Sequence, residues 1–212
     1  IYQNCNVPSL ETLVTDKRVH RGVDIRFSYR SYNKNHPLAH IFSKEELEQL
    51  FCYWVADYWC TTKNDPELVK NRLFNPKKSN TLAWYFPETN KTKLYFIEEK
   101  ENRFYGNCTE TDLFGEQFLD EMLCTEYKTL IITKSGKDQG VIWFKLGIPC
   151  IAVQGETAKC TSKLLYIIKH FEKVIIFFDN DEPGINGANI LSEQINVICP
   201  GKSSTYCLPV EL

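Results

Sequence analysis

A chain of 212 residues with 43% hydrophobic content holds one substantial core, or a main domain with a smaller subdomain. With 25 basic against 27 acidic residues the formal net charge is -2, so no global field announces nucleic acid and any basic surface is local. No apolar run approaches the ~20 residues of a membrane span, and nine cysteines without a C-x-x-C pair argue against a zinc ribbon and for reduced, mostly buried thiols in a cytoplasmic setting.

The chain opens on Ile1 rather than Met, as an excised fragment or a processed product would. Asn90-Lys-Thr and Asn107-Cys-Thr match the glycosylation sequon, a pattern short enough for chance, and no signal peptide supports secretion. Residues 1–42 mix charged and aromatic side chains without a sustained period, which suggests short strands and loops. At Ser43 a capping box opens, with Glu46 three residues on, and Leu47, Leu50, Phe51 and Trp54 follow at helical spacing. The far end of that helix stays open, because residues 53–60 are aromatic and β-branched enough to serve equally as a strand. Asp65 followed by Pro66 reads as an N-cap with proline at the first helical position, giving a short helix to about Phe74.

Residues 75–80 are a loop by their turn residues. Beyond it, residues 81–86 and 92–97, separated by 87–91, have the pattern of an antiparallel hairpin. Lys91, Lys93 and Arg103 put cations on or beside this hairpin, and on local evidence a solvated strand face explains them equally well. A short helix over residues 114–122 leads into the second half.

From Lys128 the texture alternates strand and helix. Residues 129–133, 150–153 and 174–178 are short, continuously apolar and β-branched, as strands covered on both faces are. Helices are expected over 138–146, about 161–171, and 183 to about 195, with a last short strand near 204–207. The fold class is therefore α/β: a parallel sheet flanked by helices over 126–212, preceded by a smaller α+β subdomain with the hairpin over 1–125. In such a sheet the ligand crevice lies at the carboxyl ends of the strands, so the turns at Lys134, Gln154 and Asp179 should line one edge.

The most chemical feature is the turn Asp179-Asn-Asp-Glu-Pro-Gly184. Hard carboxylate oxygens in pairs, with positions open to water and phosphate, are what Mg²⁺ or Mn²⁺ selects. Like charges at one strand end repel by several kcal/mol at an effective dielectric near ~20 unless a cation intervenes. Pro183 and Gly184 would let the backbone approach a ligand closely. An EF-hand beginning at Asp179 fails because its twelfth position is Ile190, and a P-loop at residues 135–138 fails because Asp138 follows Lys137 and Ile131 stands where a glycine is needed. Taken alone, the Asp-x-Asp turn is equally a polar αβ turn with an N-cap.

The combination is more specific. Residues 128–195, above all the run from Val174 through Asp179, Asp181 and Gly184 to Ala188, resemble the Toprim family of bacterial-type primases, topoisomerases and small repair nucleases. The preceding hairpin, Arg103-Phe-Tyr-Gly-Asn107 and residues 113–118 are similar to the subdomain before Toprim in bacterial and phage primases. That resemblance implies a DNA primase catalytic core making RNA primers on single-stranded DNA from nucleoside triphosphates. It implies metal (Mg²⁺ or Mn²⁺) on Asp179 and Asp181, which Glu156 on the same edge would help to hold, and template or nucleotide contacts from Lys91, Lys93, Arg103 and Lys137. A replicative helicase and a separate zinc-binding module would be partners, since the chain has neither a P-loop nor zinc-type cysteine spacing. A Toprim nuclease, or a Toprim module that only binds nucleic acid, are the alternatives.

One position departs from the family. Toprim proteins usually carry Glu-Gly after the first strand, where this chain has Lys134-Ser135. Either Glu156, on the same edge, restores a third carboxylate while Lys134 meets a nucleotide phosphate, or the site keeps only nucleic-acid binding.

Overall fold

The computed structural model describes residues 23–62, 80–99 and 103–207. The helix expected over 65–74 lies outside these residues. Contacts divide the chain into two units, Ile1–Cys108 and Thr109–Leu212. Residues 109–125, assigned from the sequence to the first subdomain, thus cluster with the second unit.

In the first unit five strands form an antiparallel sheet in the order β1-β2-β3-β4-β5: β1 Val23–Tyr29, β2 Cys52–Thr62, β3 Thr81–Phe86, β4 Lys91–Phe96 and β5 Phe104–Gly106. The capping box is present, with Ser43 Oγ accepting from Glu46 N at 3.1 Å and Glu46 Oε2 accepting from Ser43 N at 2.7 Å. The helix it starts, α1 (Lys44–Gln49), is shorter than the apolar spacing suggested. Phe51 adopts φ 50°, a left-handed conformation that a helix cannot continue through, and Trp54 belongs to β2. The aromatic run 53–60 is therefore strand. The hairpin expected over 81–97 is present, β3 and β4 pairing from Thr81↔Phe96 to Phe86↔Lys91. Ile25, Phe27, Val55, Ala83, Leu94, Phe96 and Tyr105 make the core of this unit.

The second unit holds the parallel sheet, in the order β7-β6-β8-β9: β6 Thr129–Thr133, β7 Cys150–Ala152, β8 Lys173–Ile176 and β9 Ser203–Thr205. Helices α3 (Gly136–Leu146), α4 (Ser162–Ile168) and α5 (Glu182–Ile198) alternate with the strands. Each begins on a side-chain cap: Ser135 accepts from Asp138 N, Thr161 from Leu164 N and Asp181 from Gly184 N. Leu130, Ile132, Ile151, Leu164, Ile167 and Ile176 are almost fully buried, each contributing about 1.5–3 kcal/mol by removal from water.

Residues 114–122 resolve into a bridge residue, a turn of 3₁₀ helix at Glu116–Phe118 and α2 (Leu119–Leu123). Phe114 exchanges both backbone hydrogen bonds with Ala152, each 2.9 Å, which ties this segment to the outer edge of β7. No helix among the described residues is long and apolar enough to cross a membrane.

Candidate active site

Strand order places the site. After β6 the chain crosses to β7 on one side, and after α4 it returns to β8 on the other, so the order reverses around β6. Loops leaving neighbouring parallel strands in opposite directions open a crevice at such a point. Lys134 follows β6, Glu156 lies beyond β7, and Asp179 and Asp181 lie beyond β8. The structure brings all four together.

Glu156, Asp179 and Asp181 each offer a carboxylate oxygen, and these atoms lie within 4.8 Å of one another. Asp181 also starts α5, its Oδ1 accepting from Gly184 N at 2.8 Å. Lys134 lies among them: its Nζ is 2.8 Å from Asp179 Oδ2 and donates to Glu156 Oε1. Burial works against the Lys134 charge, but the hydrogen bonds and charges of Asp179 and Glu156 outweigh it and hold the ammonium above the ordinary lysine value. Three hard oxygen donors with no His or Cys among them, on side chains that are exposed or half-buried, fit a hard divalent cation that keeps some of its water.

Two glycines make this arrangement possible. A Cβ on Gly184 would stand 2.2 Å from the Asp179 carbonyl oxygen and 2.8 Å from Asp181 Oδ1. What Gly184 approaches closely in the structure is the chain's own backbone at Asp179. A Cβ on Gly187 would stand 2.4 Å from the Glu156 carbonyl oxygen, so the first turns of α5 press directly on the loop that carries Glu156. Sequence reasoning had no signal for this second role beyond the glycine itself.

The remaining cations are placed differently. Lys137 is exposed in the first turn of α3, 3.7 Å from the Asp138 carboxylate. In the first unit Lys91 and Lys93 alternate along β4 and so share one face, with Lys93 Nζ 4.8 Å from the centre of the Phe104 ring. Phe104 is 52% exposed and stacks on Tyr95 at 5.0 Å, an aromatic neighbour the sequence had not singled out. Arg103 is exposed and its Nε donates to the Glu99 carbonyl at 2.9 Å.

Burial lowers the Lys93 pKa from 10.5 to about 8, against a smaller raising effect from Cys108. The unfolded chain then binds more protons than the folded one between these two values, so stability contributed at this position is lowest below pH 8 and rises toward pH 10.5. Lys93→Met should accordingly be more stable than the parent chain at pH 7. Urea unfolding of both should show that advantage shrinking as pH is raised through 8 toward 10, and a constant difference would refute the assignment.

Neither a family model nor a curated protein sequence matches the chain. Solved structures do. The primase fragment of the bacteriophage T7 primase-helicase protein is similar over 85% of this chain and 70% of its own, with 17% identity and a TM-score of 0.53. The DnaG primase catalytic domain bound to ssDNA is similar over 82% and 65%, with 11% identity and a TM-score of 0.56. For the RNA polymerase domain of Mycobacterium tuberculosis primase DnaG the shares are 89% and 62%, with 14% identity and a TM-score of 0.52. The chain spans about two thirds of the length of the DnaG structures, 65% and 62%. At such identities the likeness speaks for the fold alone: this chain has the α/β fold of the DNA primase catalytic cores.

Proposed function

We propose that the chain is a Toprim-type catalytic core of a DNA primase, joining ribonucleotides into primers on single-stranded DNA. The observation that carries this reading is the convergence of Glu156, Asp179 and Asp181 within 4.8 Å at the switch point of the parallel sheet. Supporting it, the solved structures of similar fold are primases, and one of them is bound to ssDNA. In this reading the three carboxylates hold Mg²⁺ or Mn²⁺, which supplies charge stabilisation at the transferring phosphoryl group and activation of the primer 3′-hydroxyl. The chain's own part is to position. Asp181 starts α5 through Oδ1 while its charge joins the cluster, and the Lys134 ammonium pairs with both Glu156 and Asp179. Lys91, Lys93, Arg103 and Lys137 take the phosphates of template and nucleotides. A helicase and a zinc-binding template reader act from elsewhere, and the setting is the cytoplasm of a bacterial or phage-infected cell.

The test is direct. With single-stranded template, the four ribonucleoside triphosphates and Mg²⁺ or Mn²⁺, the purified chain should make short RNA, and chelation with EDTA should abolish it. DNA cut in the absence of nucleotides would instead identify a Toprim nuclease.

A second reading draws on Lys134. An ammonium already bound to Glu156 and Asp179 offsets part of the charge that would attract a metal. A module that only binds nucleic acid would show steep salt dependence without any need for metal. Template binding that persists in EDTA, with no RNA made in any metal, favours that reading.

A further inference from the structure

We propose that Lys134 is a fixed, protein-supplied cation of the acidic edge, and that the site consequently takes one divalent ion and not two. This inference rests on the reading above, in which Glu156, Asp179 and Asp181 hold a metal.

Position comes first. Lys134 leaves β6, which is paired on both sides, and the residue before it, Thr133, is 2% exposed. The turn after it is held by Ser135, whose hydroxyl donates to Asp138 at 2.7 Å and accepts from Asp138 N at 3.1 Å. The Lys134 side chain is only 17% exposed while that of Asp179 is 58% exposed. Its backbone is anchored, and its ammonium joins two carboxylates that arrive on different loops.

Oxygen accounting comes second. Glu156 Oε1 and Asp179 Oδ2 are engaged by Lys134, and Asp181 Oδ1 by Gly184 N. Each carboxylate therefore has one oxygen not engaged in these bonds. Three carboxylates with this much already engaged suffice for a single ion that completes its shell with water. Two ions side by side, about 3.5–4 Å apart, would have to share these three carboxylates, leaving each with fewer protein oxygens.

Charge comes third. Three carboxylates and one ammonium leave a formal charge of two minus on this cluster. One divalent ion neutralises it. A second would leave an excess of positive charge beside the Lys134 ammonium, an arrangement Coulomb repulsion opposes. A glutamate at position 134 would change both accounts at once, adding two oxygens and moving the cluster to four minus, which matches two divalent ions.

Mn²⁺ titration of the full chain, with free Mn²⁺ followed by electron paramagnetic resonance, tests this without reference to activity. The parent chain should bind one ion. Lys134→Gln should also bind one, about tenfold more tightly, because a like charge beside the ion has been removed. Lys134→Glu should bind two. A lysine that merely props the loops apart predicts the opposite sign for Lys134→Gln, weaker binding as Glu156 and Asp179 lose their common partner. That result would overturn the inference, as would two ions of similar affinity on the parent chain or one on a folded Lys134→Glu. Should Lys134→Glu not fold, the sign seen with Lys134→Gln decides. If no chain binds Mn²⁺ while each melts cooperatively, the metal reading falls, an outcome distinct from two ions on the parent chain.

Discussion

Asp181→Asn should leave α5 in place and reduce primer synthesis by about 10²–10³-fold. Asp181 has two roles that this substitution separates. Its Oδ1 caps α5 by accepting from Gly184 N at 2.8 Å, and its charge is one of three that converge on the cluster. Asparagine caps a helix as well as aspartate does, so the cap is retained. The lost carboxylate forfeits a favourable interaction with the helix N-terminus of about 0.3–1 kcal/mol. Relief of repulsion from Glu156 and Asp179 works the other way, and the net change in unfolding free energy should stay within ~1 kcal/mol. Asp181→Ala loses the cap as well and should cost about a further 1 kcal/mol. Urea midpoints and primer yields on the same preparations distinguish the two roles. Full synthesis by a folded Asp181→Asn chain would reduce Asp181 to a helix cap, and the double variant Asp179→Ala, Asp181→Ala, still active, would remove the site altogether.

The parts of this site legible in the sequence are those that follow from strand ends. Continuous β-branched runs announced the buried parallel strands, and the rule that crevices form at their carboxyl ends put Lys134, Glu156 and Asp179 on one edge. The structure joins these residues as ion pairs, including the lysine that stands where the Toprim pattern the sequence resembles has a glutamate. What sequence left open was the direction in which Lys134 points, because a cation near carboxylates and phosphates is attracted by either. The boundary between the units was hidden for a different reason. Residues 109–118 attach to β7 through backbone bonds between Phe114 and Ala152, and backbone pairing leaves little mark on side-chain pattern. At Phe51 the difficulty was redundancy: helical spacing through Trp54 and strand propensity from Tyr53 overlapped, and a single left-handed residue decided between them. The role of Gly187 required a contact more than thirty positions away in the chain, with the Glu156 backbone.

That contact supports the sharpest stability prediction. Gly187→Ala and Gly184→Ala lie within α5, where by helix propensity alone alanine should stabilise by roughly 0.5–1 kcal/mol over glycine. The structure predicts the reverse sign. The new methyl would stand 2.4 Å from the Glu156 carbonyl oxygen in the first case and 2.2 Å from the Asp179 carbonyl oxygen in the second. Both obstacles are backbone atoms, which cannot turn aside as the end of a flexible side chain can. Relief needs a shift of α5 or of the loop it presses on, and overpacking of this kind costs about 1–3 kcal/mol or more. Net destabilisation should therefore reach about 2.5 kcal/mol for each variant once the propensity gain of roughly 0.5–1 kcal/mol is set against the overpacking cost. The two should also differ in what they displace: Gly187→Ala pushes the Glu156 loop away from Asp179 and Asp181, and should weaken Mn²⁺ binding even where the chain remains folded. Gly155→Ala is the control. It lies beside Glu156, a Cβ there meets nothing within 4 Å, and both stability and Mn²⁺ binding should be close to those of the parent chain. If Gly187→Ala instead raised the urea midpoint, α5 would not press on the Glu156 loop, and the spacing of the three carboxylates would need another cause.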